Sequence, residues 1–395
     1  MKTQDYSVSN GDGKQVKKII DHFSIVPDDV KPPSIAYRYC PPEEQMMVQS
    51  KSTTQRIMFH GDIEFTRDEY EAITNFNDYL EENDLEVDSE FNDPEILRFL
   101  QTGKFDFKST FENIKKYVSW RIEHVPPKLS SLWEQLINSG FMYVHGRDKF
   151  FRPMVILNPT ALLPFKKMGF DLIGDEIIKW SIFIIEYVIN NLFLPGKIEN
   201  YSIIVDVNKL GVTEIPKSTL GKIIDCLSKG YRYRSKRMYV LNTTFSIKLA
   251  WKVIESFMSV NMKNKMVMTD KNTDKELLET FHPSQLEEKF GGNAPNCTKF
   301  WPPWMPSDEF GHDEKYLVPQ INTKSDYQQE FKNRWSRDVT YKEMSEMEIN
   351  SSKWFENDES SEFSGDHTTE MRRTREQSVL MTQSENNWFE NIHSK

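Results

Sequence analysis

The sequence predicts an α/β fold: an N-terminal helical subdomain, then a mixed, largely parallel sheet with helices packed on it, and finally a disordered tail. Between residues 141 and 268, short β-rich runs alternate with helical patterns, which is typical of a sheet built through crossover helices. The run YSIIVDV at residues 201–207 is almost continuously apolar, as expected of a strand covered on both faces. After about residue 315 the chain is dominated by Ser, Glu, Asp, Asn and Lys, a composition that does not sustain a packed core.

Charge and cysteine content narrow the class of protein. The 395 residues carry a formal net charge of -10, which argues against a general nucleic-acid binder. The three cysteines, Cys40, Cys226 and Cys297, have no zinc-ligand spacing, so we expect no metal site and a reducing compartment. The longest apolar run, about residues 177–194, is interrupted by charged and amide residues and is expected to be a buried helix. Because the N-terminus has no apolar leader, we expect a soluble, cytoplasmic protein.

The chain between residues 66 and 124 has the pattern of a small helical unit. Thr66 followed by Glu69 forms a capping box ahead of a helix whose apolar residues recur at helical spacing. A second helix is expected between Pro94 and Gly103, because proline favours a helix start and glycine a helix end. A third follows directly and ends before a Pro-Pro pair.

These changes of pattern set the expected domain boundaries. We expect a weakly structured N-terminal extension, a helical subdomain, an α/β domain, and a Pro/Trp segment that continues into a mostly disordered acidic tail. The four parts span residues 1–62, 63–135, 136–295 and 296–395, in that order. The sequence WPPWMP at residues 301–306 is expected to lie across the folded body, because exposed tryptophans would be costly.

We expect the α/β domain to be organised around residues 237–258, RMYVLNTTFSIKLAWKVIESFM. A short strand at residues 238–241 leads into Asn-Thr-Thr, which favours a helix start, and then into a helix over residues 246–259. One face of this helix, at a spacing of four residues, is formed by Phe245, Leu249, Val253 and Phe257. Trp251 and Met258 widen the apolar face, so the helix is either part of the core or the movable wall of an apolar pocket.

Five segments of the chain follow one another at a spacing that matches a known family. They are ILRFLQTGKFDFKSTFENIKKYVSWR, RPMVIL, SIIVDVNKLGV, KRMYVLNTTF with WKVIESFM, and ELLETFHPSQLEEKFGG. In that order they resemble the helical signature, the GRPV strand, the central strand, the strand with its gate helix, and the closing element of the CRAL-TRIO lipid-binding family. This family includes the fungal secretory phosphatidylinositol/phosphatidylcholine transfer protein. The resemblance covers about residues 96–292, with Phe151 where the family usually has glycine.

The resemblance implies that the helical and α/β parts enclose one lipid in a closed apolar pocket and exchange it at membranes. The sheet is then the pocket floor, and the helix at residues 246–259 is the gate. The implied pocket and gate residues are Ile203, Val205, Phe245, Leu249, Val253 and Phe257. A lipid in water needs such cover, because each CH₂ gains about 0.8 kcal/mol on burial. No cofactor is expected apart from the bound lipid.

The resemblance also implies a site for the lipid headgroup. In phosphatidylinositol-binding relatives, two lysines and a glutamate hold the inositol phosphate. Lys104 and Lys265 match the two lysines, whereas Tyr233 stands in place of the glutamate and Arg234 follows it. These four residues are the expected headgroup site for an anionic ligand, with a phosphoinositide-related lipid as one candidate. Each lysine is also compatible with a plain solvated position.

Two other functions are considered, a scaffold protein and an enzyme. A CRAL-TRIO scaffold that has lost lipid exchange would dock into a larger assembly through residues 300–395. An enzyme is not expected, and no catalytic residue is assigned, because no Gly-rich phosphate loop, GxSxG elbow or metal spacing occurs. Asp206 is expected to cap a loop, and the scattered histidines, His60 among them, are given no role.

The expected partners follow from these interpretations. They are a phospholipid or another hydrophobic small molecule, a transient membrane surface, and a possible protein bound through residues 300–395. No nucleic acid is expected. The expected location is therefore cytoplasmic, and peripheral at membranes.

Overall fold

A computed structural model describes most of the chain between residues 25 and 318, and the predicted disordered tail lies outside the described residues. The described residues are 25–49, 54–61, 63–88, 91–128, 130, 132–168, 170–211, 214, 217–258 and 260–318. The α-helices within them are α1 (Glu43–Met46), α2 (Arg67–Glu82), α3 (Asp93–Thr102), α4 (Phe107–His124), α5 (Trp133–Ser139), α6 (Phe170–Leu192), α7 (Lys217–Gly230), α8 (Phe245–Ile254), α9 (Val260–Asn264) and α10 (Lys275–Thr280). The strands are β1 (Met47–Gln49), β2 (Thr54–Arg56), β3 (Met142–Arg147), β4 (Pro153–Leu157), β5 (Tyr201–Asp206), β6 (Ser235–Leu241) and β7 (Met266–Met268).

Five strands form one mixed sheet in the order β3-β4-β5-β6-β7. β3 pairs with β4 in antiparallel orientation, and the three following pairings are parallel. Parallel neighbours need crossover connections, which α6, α7 and the pair α8–α9 supply in turn. The predicted α/β fold with a mixed, largely parallel sheet is therefore confirmed. β1 and β2 form a separate antiparallel pair.

The helical unit before the sheet is built from α2, α3 and α4. Thr66 caps α2: its side chain accepts from the Glu69 N–H, and the Glu69 carboxylate accepts from the Thr66 N–H at 2.8 Å. This is the predicted capping box, which satisfies two otherwise unpaired donors. The buried face of α2 packs with α3 and α4 around a core of Ile73, Phe76, Leu80, Ile96, Phe99, Ile114 and Val118.

The described part of the N-terminal extension, residues 25–49 and 54–61, differs from the weakly structured segment that we expected. Val30, Ala36 and Tyr39 are at most 2% exposed, and residues 57–59 are equally buried. The Arg147 guanidinium of β3 donates to the Val30 carbonyl at 2.8 Å. The sequence did not reveal this packing, because isolated apolar residues between prolines show no helical or strand periodicity.

The segment after the α/β domain lies on the folded body at WPPWMP, as the sequence predicts. Trp301 is 8% exposed and contacts the rings of Trp180, Phe183 and Tyr187 on α6. Farther on, residues 316–318 pair with residues 38–40 of the N-terminal segment through backbone hydrogen bonds of 2.8 and 2.9 Å. The two segments on either side of the helical and α/β parts are thus joined.

Candidate functional site

One face of the five-stranded sheet is covered at its centre. Ile204, Tyr239 and Leu241 on this face are at most 1% exposed. They pack in one cluster with Leu286 and Phe290 from the short helical turns that follow α10. This face is therefore ordinary protein core.

The opposite face carries apolar side chains that we call the floor. The floor consists of Leu157, Ile203, Val205, Met238, Met266 and Met268, which the strand register places on one side of β4 to β7. All six are only half-buried, although β5 is the central strand of the sheet. Val155 and Val240 on the same face are 1% exposed, and Ile247 of α8 packs over part of the floor. A central strand normally has both faces covered, so the partial accessibility of Ile203 and Val205 shows that this cover is incomplete. Two predicted pocket residues, Ile203 and Val205, lie on this floor.

Helix α8 lies beside the floor, but the face it turns inward is not the predicted one. Ile247 is 7% exposed and packs with Val207 and Val240. Phe245 and Leu249, which we expected to line the pocket, are 84% and 54% exposed. That assignment is wrong in this conformation. The reason is that α8 is apolar on both sides, so a spacing of four residues does not decide which side faces the sheet.

The predicted gate helix is also interrupted. α8 ends at Ile254, a 3-10 turn Glu255–Phe257 follows, and α9 forms the rest of the crossover. The side chains of Val253 and Phe257 lie outside the described residues, so their predicted place in the gate stays a prediction. The turn into α8 is fixed by Asp206, whose carboxylate accepts from the Asn242 side-chain amide at 2.8 Å. Asp206 thus has the expected loop-capping role.

The four predicted headgroup residues do not meet in one open site. Lys104 is exposed in the turn between α3 and α4, where its backbone has a left-handed φ of 56°. Lys265 is 8% exposed, and its Nζ donates to the Ser235 carbonyl at 2.9 Å. Burial lowers the pKa of Lys265 to about 8. The Nζ also lies 5.7 Å from the centre of the Tyr233 ring.

Tyr233 lies just before β6 and connects this strand to the helical unit of α2, α3 and α4. Its ring lies 6.0 Å from that of Phe59, and its hydroxyl interacts with the side chains of Gln101 and Thr102 on α3. Burial raises the pKa of Tyr233, although these hydrogen bonds lower it. The residue that stands in place of the expected glutamate therefore docks two parts of the fold together.

Arg234 belongs to a buried ionic cluster that consists of His60, Glu95, Arg98, Glu199 and Arg234. His60 Nε2 lies 3.0 Å from Glu95 Oε1, and its Nδ1 lies 3.1 Å from Glu199 Oε2. Arg98 Nε lies 3.2 Å from Glu95 Oε2, and Arg234 Nη2 lies 3.4 Å from Glu95 Oε1. Arg234 is therefore engaged inside the protein, which corrects its assignment as a headgroup residue.

The charges of the ionic cluster hold one another in their ionised forms. Burial raises the pKa of Glu199, but His60 and Arg98 outweigh burial and lower the pKa to about 2. Burial lowers the pKa of His60, but the two glutamates outweigh it and raise the pKa. The Glu199 carboxylate also accepts from the backbone N–H groups of Phe59, His60 and Gly196 at 2.8 to 2.9 Å. The cluster thus ties the N-terminal segment to α3 and to the start of β5.

A comparison with protein-family models identifies the domain that contains the sheet and its helices. Residues 137–292, which include the whole five-stranded sheet and the floor, match the family model described as CRAL/TRIO domain. The chain contains a CRAL/TRIO domain. The matched range lies close to the α/β domain that the sequence predicted at residues 136–295.

Proteins similar to this chain occur in Arabidopsis thaliana and in Schizosaccharomyces pombe. The phosphatidylinositol/phosphatidylcholine transfer protein SFH9 of Arabidopsis thaliana is 23% identical over 59% of this chain and 43% of its own length. SFH11 of the same plant is 24% identical over 50% of this chain and 56% of its own length, and Patellin-4 is 26% identical over 52% and 38%. The chain therefore spans about half the length of the curated relatives it matches. The crystal structure of Sfh5 is similar with a TM-score of 0.46 and 13% identity, over 69% of this chain and 99% of that one.

Sequence reasoning missed the ionic cluster, which joins the helical unit to the CRAL/TRIO domain. His60 was given no role, and Glu95, Arg98 and Glu199 were not singled out. The five residues are widely separated in sequence, and each alone is a common surface residue. Only one signal was present: Glu95 and Arg98 are three residues apart on a predicted helix, which allows an ion pair along one face.

Two further properties of the described residues concern the site. No helix there is long and apolar enough to cross a membrane. Nor do the histidine, cysteine, aspartate and glutamate side chains in the described part of the chain form a group that could hold a metal ion. The long helix α6 is instead buried within the fold, with Trp180, Phe183 and Tyr187 at most 1% exposed.

Proposed function

We propose that the CRAL/TRIO domain binds one phospholipid or other hydrophobic ligand above the floor and exchanges it at membranes. The observation that supports this proposal best is the patch of apolar side chains on one face of the sheet, Ile203, Val205 and Met238 among them, that stays partly accessible at the central strands. Apolar side chains in that position favour an apolar ligand, because covering them removes their surface from water. No covalent step is involved, and the protein acts as a carrier and not as an enzyme.

The outward face of α8 supports a role at the membrane surface. Phe245 and Leu249 project into solvent, and Lys248 and Lys252 on the same helix are also exposed. Apolar side chains flanked by lysines suit the interface of a bilayer, where the rings and alkyl groups enter the acyl region and the amines meet anionic headgroups. Contact with a bilayer would then stabilise an arrangement in which α8 moves away from the floor. The location we propose is cytoplasmic, and peripheral at membranes.

The proposal has two more specific parts: the pocket closes around its ligand, and the ligand is related to phosphoinositides. Relatives such as SFH9 and SFH11 are named for phosphatidylinositol and phosphatidylcholine transfer, and we propose a phospholipid ligand on that likeness. Of the predicted headgroup residues, Arg234 and Tyr233 are engaged with the helical unit and are no longer proposed as ligands. Lys265 remains a candidate for contact with an anionic group.

A scaffold that docks through residues 300–395 is the second function considered. Trp301, the first tryptophan of that segment, is buried against α6 within the protein itself. This use of Trp301 favours the carrier over the scaffold. A protein partner bound through the remainder of the segment is compatible with either function.

Lipid exchange between vesicles tests the proposal directly. The full chain is incubated with donor vesicles that carry a quenched fluorescent phosphatidylcholine and with unlabelled acceptor vesicles, and dequenching reports transfer. Val205→Trp fills the space above the floor and should abolish transfer. Val318→Trp, which adds the same volume at a 44% exposed site, is the control and should transfer normally. Equal transfer by both variants, each with an unchanged thermal midpoint, would contradict the proposal.

A further inference from the structure

The outward side of α2 carries a row of polar and acidic residues that we call the acidic stripe. It consists of Asp68, Glu71, Asn75, Asp78 and Glu82, all of which are exposed. These residues recur every three or four positions and therefore lie on one side of the helix. At a rise of about 1.5 Å per residue, the acidic stripe extends for about 21 Å along α2.

Most of the negative charge on the acidic stripe has no cationic partner in the part of the chain that the structure describes. Glu71 lies 2.7 Å from Nε of Arg67, whose own side chain is 89% exposed. Asp68, Asp78 and Glu82 form no ion pair with any described residue. The natural complement of this surface is therefore a cation.

The carboxylates at the end of α2 also act against the helix itself. The last turn of α2 contains Glu81 and Glu82 and no basic residue. The C-terminal end of a helix carries partial negative charge, so carboxylates there are destabilising and cations stabilising. Asp78 and Glu82 are in addition one turn apart, a spacing at which like charges repel. Departures from local rules such as these are typical of functional sites, and a bound cation would relieve both of them.

A groove beside the acidic stripe has an aromatic wall. It lies between α2 and the turn from α3 to α4 and has a volume of about 360 Å³. Its lining residues are Asp68, Glu69, Glu71, Ala72, Asn75, Phe105 and Phe107. Phe105 is 47% exposed, although large aromatic side chains are usually mostly buried. The groove thus combines an accessible aromatic ring with carboxylates of the acidic stripe.

The basic residues near the groove leave its negative charge largely intact. Glu69 is the one lining carboxylate with a buried cationic partner, because Arg56 Nη2 lies 2.6 Å from Glu69 Oε2. Lys104 and Lys108 are exposed neighbours of the two phenylalanines in sequence, but neither lines the groove. The groove therefore favours a ligand that is both cationic and able to contact an aromatic ring.

We propose that the groove and the acidic stripe bind a basic segment of a partner protein. An arginine suits the groove, because guanidinium groups stack on aromatic rings and form paired hydrogen bonds with carboxylates. Further basic residues of the segment then meet Asp78 and Glu82, and about six extended residues cover the 21 Å of the acidic stripe. A nucleic acid or an anionic membrane is repelled by the same charges.

This surface belongs to the helical unit and lies outside residues 137–292, which match the CRAL/TRIO family model. It is also separate from the floor, which consists of side chains on β4 to β7. The inference therefore does not rest on the proposed lipid exchange.

Fluorescence anisotropy with a labelled synthetic peptide tests the inference. The probe has eight residues in which arginine alternates with serine, and it is titrated with the full chain at low ionic strength. The wild type should bind this peptide, whereas a peptide with glutamate in place of arginine should not bind. Added salt should weaken binding, because exposed charges are screened.

Two paired substitutions test the acidic stripe. Asp78→Asn/Glu82→Gln should weaken peptide binding about fivefold or more, because two exposed charge pairs are lost. The same variant should have a higher thermal midpoint than the wild type when no peptide is present, because repulsion at the end of α2 is removed. Damage to the fold would lower both quantities. Asp225→Asn/Glu309→Gln removes two carboxylates that are 63% and 70% exposed elsewhere, and it should bind the peptide normally.

A third variant tests the aromatic wall. Phe105→Gly removes the ring at a position with a φ of 61°, which glycine adopts without strain. Peptide binding should weaken about fivefold or more, because the stacking contact with arginine is lost. The thermal midpoint should not fall, since glycine suits this backbone conformation better than phenylalanine does.

The inference is overturned if the wild type binds the arginine peptide no better than the glutamate peptide. It is also overturned if either Asp78→Asn/Glu82→Gln or Phe105→Gly binds the arginine peptide as the wild type does. A dimer of the chain alone, seen in sedimentation velocity and dissociated by Asp78→Asn/Glu82→Gln, would assign the groove to a second copy and overturn it as well. Vesicle exchange of phosphatidylcholine, measured on the same samples, reports separately on the proposed function.

Discussion

His60 touches two glutamates from distant parts of the chain, Glu95 on α3 and Glu199 before β5. The two carboxylates keep its pKa raised, and it in turn helps to lower theirs. Such a cluster costs desolvation energy, which the many hydrogen bonds to Glu199 offset. At the residue scale, therefore, buried charge fixes how the helical unit sits on the CRAL/TRIO domain.

Replacement of Glu199 by Gln should destabilise the protein by about 3 kcal/mol or more, because it leaves His60 and Arg98 buried with one carboxylate fewer. Urea unfolding followed by tryptophan fluorescence measures this change. Glu71→Gln, which breaks an exposed pair with Arg67, is the matched control and should cost less than about 1 kcal/mol. Equal costs for both variants would show that the cluster does not stabilise the fold.

Lys236→Met should change the pH dependence of stability. The unfolded chain keeps this amine protonated up to about pH 10.4, whereas its folded pKa is about 7. Unfolding thus takes up a proton between these values, and the Lys236 charge destabilises the wild type most at low pH. Lys236→Met should be more stable than the wild type at pH 6.5, and this advantage should shrink by pH 9. If the urea midpoints of Lys236→Met and the wild type differed by the same amount at both pH values, the burial of an unbalanced charge at Lys236 would be contradicted.

At the scale of elements, α8 combines two apolar faces with different surroundings. Ile247 packs toward Val240 of the sheet, whereas Phe245 and Leu249 face solvent. Phe245 is 84% exposed and Leu249 is 54% exposed, so neither side chain contributes much to the core. The proposed gate would use these two faces differently, with Ile247 toward the floor and the exposed pair toward a bilayer.

The double variant Phe245→Asp/Leu249→Asp should lower binding to phosphatidylcholine vesicles about tenfold or more, because two apolar side chains no longer enter the interface. Its thermal midpoint should remain close to that of the wild type, since both sites are exposed. Leu278→Asp, at a 41% exposed site on α10, is the control for added negative charge. If the double variant and the control bind vesicles alike, α8 is not the membrane-contacting element.

At the scale of the whole molecule, the sequence predicted those structural features that depend on a local pattern of residues. The alternation of β-rich runs and helices predicted the parallel sheet, and Thr66 with Glu69 predicted the start of α2. The strand that carries Ile203 and Val205 followed from one continuous apolar run, whereas their place in a pocket was implied by the family resemblance and stays a prediction. These features depend on neighbours in sequence, which periodicity and capping rules describe.

The rest of the molecule could not be predicted, because it depends on contacts between distant segments. The ionic cluster joins residues 60, 95, 98, 199 and 234, and no spacing rule connects them. The face that α8 turns inward was ambiguous, since Ile247 and Leu249 are equally apolar. The packing of Val30 and Tyr39 and the bulge at Lys236 become visible only when the sheet is formed.

Native mass spectrometry of the purified full chain tests the central claim, that the space above the floor holds one lipid. We predict a mass increment of one lipid on the wild type, lost on mild collisional activation and strongly reduced in Val205→Trp. Val318→Trp should retain the increment, since Val318 is 44% exposed and pairs with Arg38 of the N-terminal segment. Recovery of the wild type at the mass of the polypeptide alone, also after incubation with phosphatidylcholine vesicles, would contradict the account.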